Sequence, residues 1–129
     1  MKRRACLKTI LVGACAAKAR AERQSPPIQL DVDLSVDPAK EREMLHNFHR
    51  IFRPAASKQP GFIDVKMLKL RSALAGAAPS ETNYRFELTF ASEEQRKAWV
   101  ATATHRQVWP TIEKTLVSKD YTTLLYDEA

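Results

Sequence analysis

The amino-acid sequence predicts an α+β fold in which four strands and two helical segments follow one another in the order βαββαβ. Two stretches, residues 28–34 and 83–90, alternate apolar and polar side chains strictly, as half-buried strands do. Each is followed by the apolar spacing or the capping sequence that is typical of a helix. At 129 residues the chain has room for one small domain and a short tail.

The first strand and the first helix follow directly from the residue pattern. "IQLDVDL" (28–34) places four aliphatic side chains on one face and polar side chains on the other. Asp37 and Pro38 then supply a helix N-cap and a proline at the first helical position. Apolar residues at helical spacing continue to Phe52, and Pro54 is expected to end the helix.

The second and third strands are joined by a connection of small and polar residues. "PGFIDVKMLKL" (60–70) opens with a turn and continues as a strand. The core face of this strand is expected to carry Ile63, Val65 and Met67. Residues 71–82 contain a glycine and a proline and are expected to form a flexible connection. "NYRFELTF" (83–90) then alternates as the third strand, with its aromatic and leucine side chains inside.

The second helical segment is predicted to bend before the fourth strand. It begins at Ser92, because Ser92–Gln95 has the spacing of a capping box. Thr104 opens a second sequence of the same spacing, and Pro110 disfavours an uninterrupted helix. The stretch "RKAWVATATHRQVWP" (96–110) is therefore expected to form a helical corner. "DYTTLLYDE" (120–128) is the predicted fourth strand.

This order of elements is the ferredoxin-like arrangement, a four-stranded antiparallel sheet with both helices on one face. Strands one and three are neighbours in that topology. On the helix-free face, Asp31 and Asp33 are then expected to lie opposite Arg85. Glu87 is expected to lie opposite Lys66. Such pairs contribute about 0.2–1 kcal/mol each, so this face is polar and charge-matched, and it suits either solvent or a hydrated self-association.

The net charge of +6 comes entirely from the beginning of the chain. Residues 1–21 contain six lysines or arginines and no acid, out of 21 basic and 15 acidic residues in total. The remaining chain therefore holds 15 basic and 15 acidic residues and is neutral. General nucleic-acid binding is not expected, because it requires a basic surface on the folded domain.

Residues 1–21 have the three zones of an export signal. A basic start is followed by the short apolar run "TILVGACAA" and by a small-residue cleavage pattern that ends at Ala21. Nine apolar residues are too few for a stable transmembrane helix. Cleavage after Ala21 and export to the periplasm or the cell exterior are therefore expected, with residues 22–27 as a linker. "KRRACLK" resembles the motif of twin-arginine export signals.

Two other interpretations of this segment stay open. "VGAC" is similar to a lipoprotein box, in which Cys15 would be lipidated and the domain tethered to a membrane. The other interpretation is a disordered basic N-terminus of a cytosolic protein. Both cysteines, Cys6 and Cys15, lie in this segment, so the domain at 28–129 has no thiol for a disulfide.

Three stretches of the domain carry a likeness to a known family. They are "QPGFIDVKML" (59–68), "YRFELTFASEEQRKAWVATATHRQV" (84–108), in which a histidine follows a tryptophan by six residues, and the closing strand. Together, residues 28–129 resemble the antibiotic biosynthesis monooxygenase-like domain of the dimeric α/β-barrel superfamily. The resemblance implies a homodimer in which two sheets face each other as a dimeric α/β barrel. It also implies oxygenation of electron-rich polycyclic phenols and quinols without a metal, flavin or other cofactor.

The implied chemistry needs a base of near-neutral pKa and hydrogen-bond donors in a dry pocket. His105 is the candidate base, because imidazole titrates in the right range, and Trp99 offers an indole N–H beside a large apolar surface. A small aromatic substrate is expected to contact Asn83, Tyr84 and Trp109. The alternative is that these side chains only fill a core. On a straight helix Trp99 and His105 lie about 120° apart, so only the predicted corner brings them together.

Haem and metal ions are the other ligands that the residue pattern raises. The haem-degrading branch of the related family has a histidine ten residues after the tryptophan, where this chain has Trp109, so haem cleavage is not expected, whereas weak haem binding stays open. His46 and His49 lie three residues apart on the first helix and could reach one ion. No third ligand is near them in the sequence, so no metal site is expected.

The resemblance thus implies a cofactor-independent monooxygenase-like protein that acts on a small aromatic or quinol-type compound. The alternative is a non-catalytic module of the same fold that binds a small ligand or serves a stress response.

Overall fold

The computed structural model describes residues 25–79 and 81–129, and it has the predicted βαββαβ order. Strands β1 (Ile28–Leu34), β2 (Phe62–Lys69), β3 (Tyr84–Phe90) and β4 (Thr122–Asp127) form one antiparallel sheet in the order β2-β3-β1-β4. The helices cover one face of this sheet, so the predicted ferredoxin-like fold is confirmed. The predicted export signal (1–21), with Cys6 and Cys15, lies outside the described residues.

The first helical segment does not end at Pro54, as the sequence predicts, but continues to Ser57. It consists of a 3₁₀ turn (Pro38–Lys40), α1 (Glu41–Asn47), a π-helical turn (Phe48–Phe52) and α2 (Arg53–Ser57). In the π-helical turn the backbone N–H of Arg53 donates to the carbonyl of Phe48, five residues back. A proline in a regular α-helix clashes with the carbonyl four residues before it. The wider turn immediately before Pro54 accommodates its ring.

Strand β2 carries a bulge that changes which of its side chains face the core. The pairing with β3 shifts register between Phe62 and Asp64, so Ile63 is the extra residue. Ile63 is 52% exposed, whereas Val65 is buried and Phe62 packs against the core. The prediction that Ile63 faces inward is therefore wrong, because alternation is broken by one residue at the bulge. Met67, beyond the bulge, packs against the core as predicted.

The helical corner predicted within residues 96–110 is present, but its cap is Thr102 and not Thr104. Helix α3 (Glu93–Val100) ends there and α4 (Ala103–Glu113) begins. Pro110 lies inside α4 and does not interrupt it, contrary to the sequence prediction. This helix is capped by Thr102 and packs against the core through Val108 and Ile112. Capping and packing offset the stability that is lost because Pro110 has no backbone N–H to donate.

The helix-free face of the sheet has the predicted charge pattern. Arg85 Nε donates to Asp33 Oδ1 at 2.9 Å, and Asp31 Oδ2 lies 4.0 Å from Arg85 Nη1. Lys66 lies opposite Glu87 in the register, as predicted, although its ammonium contacts Asp64 on its own strand at 3.8 Å. The central strands β1 and β3 therefore give the middle of this face a polar, charge-matched surface.

The core lies between the helices and the inner face of the sheet. Aromatic side chains dominate this core. Phe52 stacks with Phe48, and it forms edge-to-face contacts with Phe86 and Trp99 at centroid distances of 5.2 and 6.0 Å. Aromatic pairs at such distances stabilise a core beyond simple area burial. Among the helices of residues 25–79 and 81–129, none is long and apolar enough to cross a membrane.

Candidate functional site

A half-open cavity of about 160 Å³ lies between α4 and the inner face of the sheet. Its inner wall consists of buried aromatic and aliphatic side chains, and its outer wall includes the exposed Val100 at the end of α3 and Thr123 on the edge strand β4. The lining residues are Leu30, Val32, Phe52, Phe86, Leu88, Val100, His105, Trp109, Tyr121 and Thr123. His105 and Tyr121 are the two ionisable members of this set.

The helical corner places His105 in the wall of this cavity. His105 is the third residue of α4, and its backbone N–H donates to the capping hydroxyl of Thr102 at 3.1 Å. Its imidazole meets Trp99 edge to face at 5.1 Å and stacks on Trp109 at 6.4 Å. Within the part of the chain that the structure describes, neither ring nitrogen of His105 has a hydrogen-bond partner. The imidazole is therefore held by aromatic packing, and its nitrogens are available to a ligand.

The surroundings of His105 keep its imidazole neutral. Burial lowers the pKa of His105 from its ordinary value of 6.5, and the positive charge of Arg96 lowers it further. The carboxylate of Glu113 acts in the opposite direction, but its effect is the smallest of the three. A neutral imidazole in an apolar pocket can accept a proton from a bound hydroxyl group.

Trp99 lies behind His105 and does not line the cavity. Its side chain is 1% exposed, and its indole Nε1 has no hydrogen-bond partner among the described residues. The structure thus brings Trp99, His105 and Trp109 together, as the corner predicts, but it leaves the indole N–H of Trp99 outside the cavity wall. Through its edge-to-face contact, Trp99 restricts the orientation of the His105 ring.

A hydrogen-bonded chain forms one side of the cavity. The indole Nε1 of Trp109 donates to the hydroxyl of Tyr121 at 3.1 Å, and that hydroxyl donates to Glu113 Oε2 at 2.8 Å. Burial raises the pKa of Tyr121, so its hydroxyl stays protonated and continues to donate at neutral pH. This chain links α4 to the start of β4.

Tyr121 and Glu113 belong to the site but are not among the residues that the sequence predicts for it. The signal for Tyr121 was its spacing in the fourth strand, since Tyr121, Thr123 and Leu125 alternate toward the helix-covered face. Tyr121 lies within the predicted fourth strand (120–128), so this alternation alone assigns it to that face. Glu113 gives no such signal, because its contact depends on where α4 crosses the sheet.

Asn83 and Tyr84, which the sequence predicts as substrate contacts, do not line this cavity. The side-chain amide of Asn83 is engaged by the backbone of Val36, accepting from its N–H at 2.8 Å and donating to its carbonyl at 2.9 Å. Tyr84 is buried beside Glu41 at the far end of β3, and burial raises its pKa to about 12. Both side chains are thus part of the structural framework at the other end of the sheet.

The histidines of the first helical segment form no metal centre in the structure. His46 and His49 are both exposed, and the ring of His49 packs edge to face against Phe48 at 5.1 Å. Among residues 25–79 and 81–129, no group of three or more histidine, cysteine or carboxylate side chains could hold a metal ion.

Comparison with known proteins gives a fold and not a family. No protein-family model matches this chain, and no curated protein matches it in sequence. Solved structures do match, including a candidate antibiotic biosynthesis monooxygenase from Caulobacter crescentus CB15. That structure has a TM-score of 0.64 and 19% identity, and the match covers 81% of this chain and 92% of that one.

Two further solved structures have the same fold. SnoaB, a cofactor-independent oxygenase from Streptomyces nogalater, matches in a mutant form with a TM-score of 0.62 and 14% identity over 79% of this chain and 92% of that chain. A dimeric ferredoxin-like protein of unknown function from Jannaschia sp. CCS1 matches with a TM-score of 0.63 and 16% identity. The match covers 80% of this chain and 98% of that chain. This chain therefore has the ferredoxin-like fold of antibiotic biosynthesis monooxygenase-like proteins.

Proposed function

We propose that this protein is a cofactor-independent oxygenase of a small phenol or quinol, with His105 as the base. The observation that carries the proposal is the half-open apolar cavity with a neutral, unbonded imidazole in its wall. Fold-level similarity to SnoaB, a cofactor-independent oxygenase, supports the same reaction class.

The reaction balances without an external reductant. His105 takes the proton from a quinol hydroxyl, and the resulting anion gives one electron to O₂. The semiquinone and superoxide combine, which forms a C–O bond at a ring carbon, and His105 returns its proton to the peroxide. The O–O bond then breaks while the ring carbon loses its hydrogen as a proton, so one quinol and one O₂ give one hydroxyquinone and one water.

The apolar walls support this chemistry in two ways. They exclude water from the reactive anion, and they hold the aromatic ring against the indole face of Trp109. Trp99 acts as a positioning residue, because it packs against the His105 ring without lining the cavity.

A binding-only role is the alternative that one observation favours. The sequence predicts Trp99 as a second catalytic group. Trp99 does not line the cavity, however, and its indole N–H is buried without a hydrogen-bond partner among the described residues. A protein that only binds an aromatic ligand needs the cavity and has no need of that donor. Oxygen consumption therefore distinguishes the two roles.

We also propose that the protein is a homodimer that packs the helix-free faces of two sheets together. Leu68, Leu124 and Tyr126 are more than 40% exposed on that face, and the charge pairs of β1 and β3 lie between them. A matching structure from Jannaschia is dimeric, which supports this assembly. The proposal includes export of the domain, supported by the pattern of residues 1–21.

Oxygen uptake by the purified full chain tests the proposed reaction. The assay uses phenols and quinols of one, two and three rings, and the rate of autoxidation without protein is subtracted. His105→Gln is compared with His49→Gln, which changes an exposed histidine away from the cavity. Uptake that His105→Gln abolishes and His49→Gln retains is the expected result. Equal uptake by His105→Gln and the unchanged chain would exclude His105 as the base, and protein-dependent uptake for none of the compounds would favour the binding-only role.

A further inference from the structure

The size and rigidity of the cavity limit what it can hold. Its volume of about 160 Å³ is close to that of a buried protein cavity of ~150 Å³ known to bind benzene. One benzene ring fills a space of this size, whereas fused two-ring and three-ring systems exceed it. The cavity thus matches a single ring, with substituents projecting through its open side.

The inner wall cannot move outward to admit a larger ring. Phe52, Phe86 and Leu88 are each at most 2% exposed and belong to the core. Phe86 and Phe52 also meet the ring of Trp109 at 5.4 and 5.8 Å. Displacing any of these side chains would disrupt close packing, which proteins resist.

The outer wall is the place where the cavity size can change. Val100 is 40% exposed at the last position of α3, and Thr123 is exposed on the edge strand β4. Neither side chain is part of the buried core, so a substitution there alters the mouth of the cavity and leaves the core intact.

The polar groups of the wall recognise one hydroxyl. The hydroxyl of Tyr121 already donates its hydrogen to Glu113 and accepts from Trp109. His105 supplies an imidazole acceptor, its unprotonated ring nitrogen, and the hydroxyl of the exposed Thr123 lies at the mouth. The cavity therefore combines room for one aromatic ring with an imidazole acceptor for a phenolic O–H.

We infer that the ligand of this cavity is a single-ring phenol or quinol, and that Val100 is the residue that sets this limit on ring number. The inference deepens the proposed function and depends on it for the reaction. The binding preference can be measured without turnover.

Binding of unreactive phenols under anaerobic conditions tests this inference. Calorimetric titration of the full chain with phenol, 2-naphthol and 9-phenanthrol is expected to give the tightest binding for phenol. Nonspecific hydrophobic binding gives the reverse order, because it increases with apolar area. Tighter or equal binding of 9-phenanthrol, or no binding of phenol, would overturn the inference.

Variants at the mouth test the role of Val100. Val100→Phe is expected to weaken phenol binding by about tenfold or more, because the new ring occupies the cavity. Val100→Ala is expected to improve 2-naphthol binding relative to phenol. Val117→Phe is the matched control, since Val117 is 70% exposed and lies outside this cavity. Thr123→Phe narrows the mouth from the opposite side and replaces Val100→Phe if that variant does not fold. Unchanged phenol affinity in the folded mouth variant would overturn the assignment.

The two proposals fail in different ways. Phenol binding in the expected order without oxygen uptake would leave the single-ring inference intact and refute the oxygenase proposal. Oxygen uptake that depends on His105 but occurs only with three-ring compounds would support the oxygenase proposal and refute the single-ring inference.

Discussion

The hydrogen-bonded chain on the cavity wall gives a prediction that the structure makes quantitative. Tyr121→Phe removes a hydroxyl that accepts from Trp109 at 3.1 Å and donates to Glu113 at 2.8 Å. The ring remains, so the apolar contacts of Tyr121 with the cavity and with the Trp109 ring are retained. The substitution therefore isolates the two hydrogen bonds that link α4 to the start of β4.

The expected loss of stability follows from the kinds of bond that are removed. A neutral hydrogen bond contributes about 0.5–1.5 kcal/mol and one to a charged group about 1.5–3 kcal/mol. Trp109, Glu113 and Tyr121 are only partly buried. In the variant, water can therefore hydrogen-bond to the groups that lose the Tyr121 hydroxyl, which reduces the loss of stability. We expect a decrease of about 1–2 kcal/mol in the free energy of unfolding, which lowers the Tm of a domain of this size by roughly 5–10 °C.

Urea unfolding, followed by tryptophan fluorescence, measures this decrease. A double-mutant cycle with Glu113→Gln is expected to give a coupling energy of about 1 kcal/mol between the two side chains. Ser57→Ala is the control, because it removes an exposed hydroxyl that donates to the Pro54 carbonyl at 2.9 Å, away from the cavity and from the helix-free face. A change of less than about 0.3 kcal/mol in Tyr121→Phe, or a coupling energy of zero, would refute the hydrogen-bonded link.

Three further predictions concern the turn before β2, the pH dependence of stability and the dimer. Gly61 has a φ of 84°, so Gly61→Ala is expected to cost the ~1–2 kcal/mol of a left-handed residue, while the flexible end of the Gln95 side chain can move away from the added Cβ. An unchanged free energy of unfolding for Gly61→Ala in urea would contradict this. Because the pKa of folded His105 is lowered from 6.5, the unfolded state binds its proton more readily, so stability is fully present above about pH 6.5 and decreases as the pH falls below it. Urea unfolding between about pH 5 and 8 should show a weaker pH dependence for His105→Gln, and identical dependence in both proteins would disprove the assigned pKa shift. Leu124→Lys is expected to convert the proposed dimer to a monomer in analytical ultracentrifugation, because it places a charge in the apolar part of the helix-free face. An unchanged sedimentation mass would locate the interface elsewhere.

The fold was predictable because its signals are local. Strict alternation at 28–34 and 83–90 requires one buried and one exposed face, whichever elements cover them. The caps at Asp37 and Ser92 are equally local, and both side chains accept the backbone N–H that the sequence predicts.

The errors in the fold arise where distant contacts decide. Ile63 is exposed because β2 pairs with β3 through a bulge, and nothing within β2 itself indicates that shift. Pro54 and Pro110 lie inside helical segments because a π-helical turn or core packing offsets the missing hydrogen bond. Proline alone therefore predicts a helix end less well than its packing environment does.

The candidate site was predictable where one helix supplies it and not where two elements meet. His105 and Trp109 lie one helical turn apart on α4, so their shared cavity follows from the helical spacing. Asn83 and Tyr84 were grouped with them by chemical type, but the structure places them at the other end of the sheet. Tyr121 joins the site from β4, a contact that only the packing of α4 across the sheet creates.

The central claim is that the His105 imidazole accepts the hydroxyl of a phenol bound in this cavity. The chain has three histidines, so nuclear magnetic resonance of their imidazole rings contains its own controls. On saturation with phenol, we expect the His105 signals to move while those of His46 and His49, both exposed on the first helical segment, stay unchanged. Signals of His105 that do not move when phenol is bound would contradict the claim.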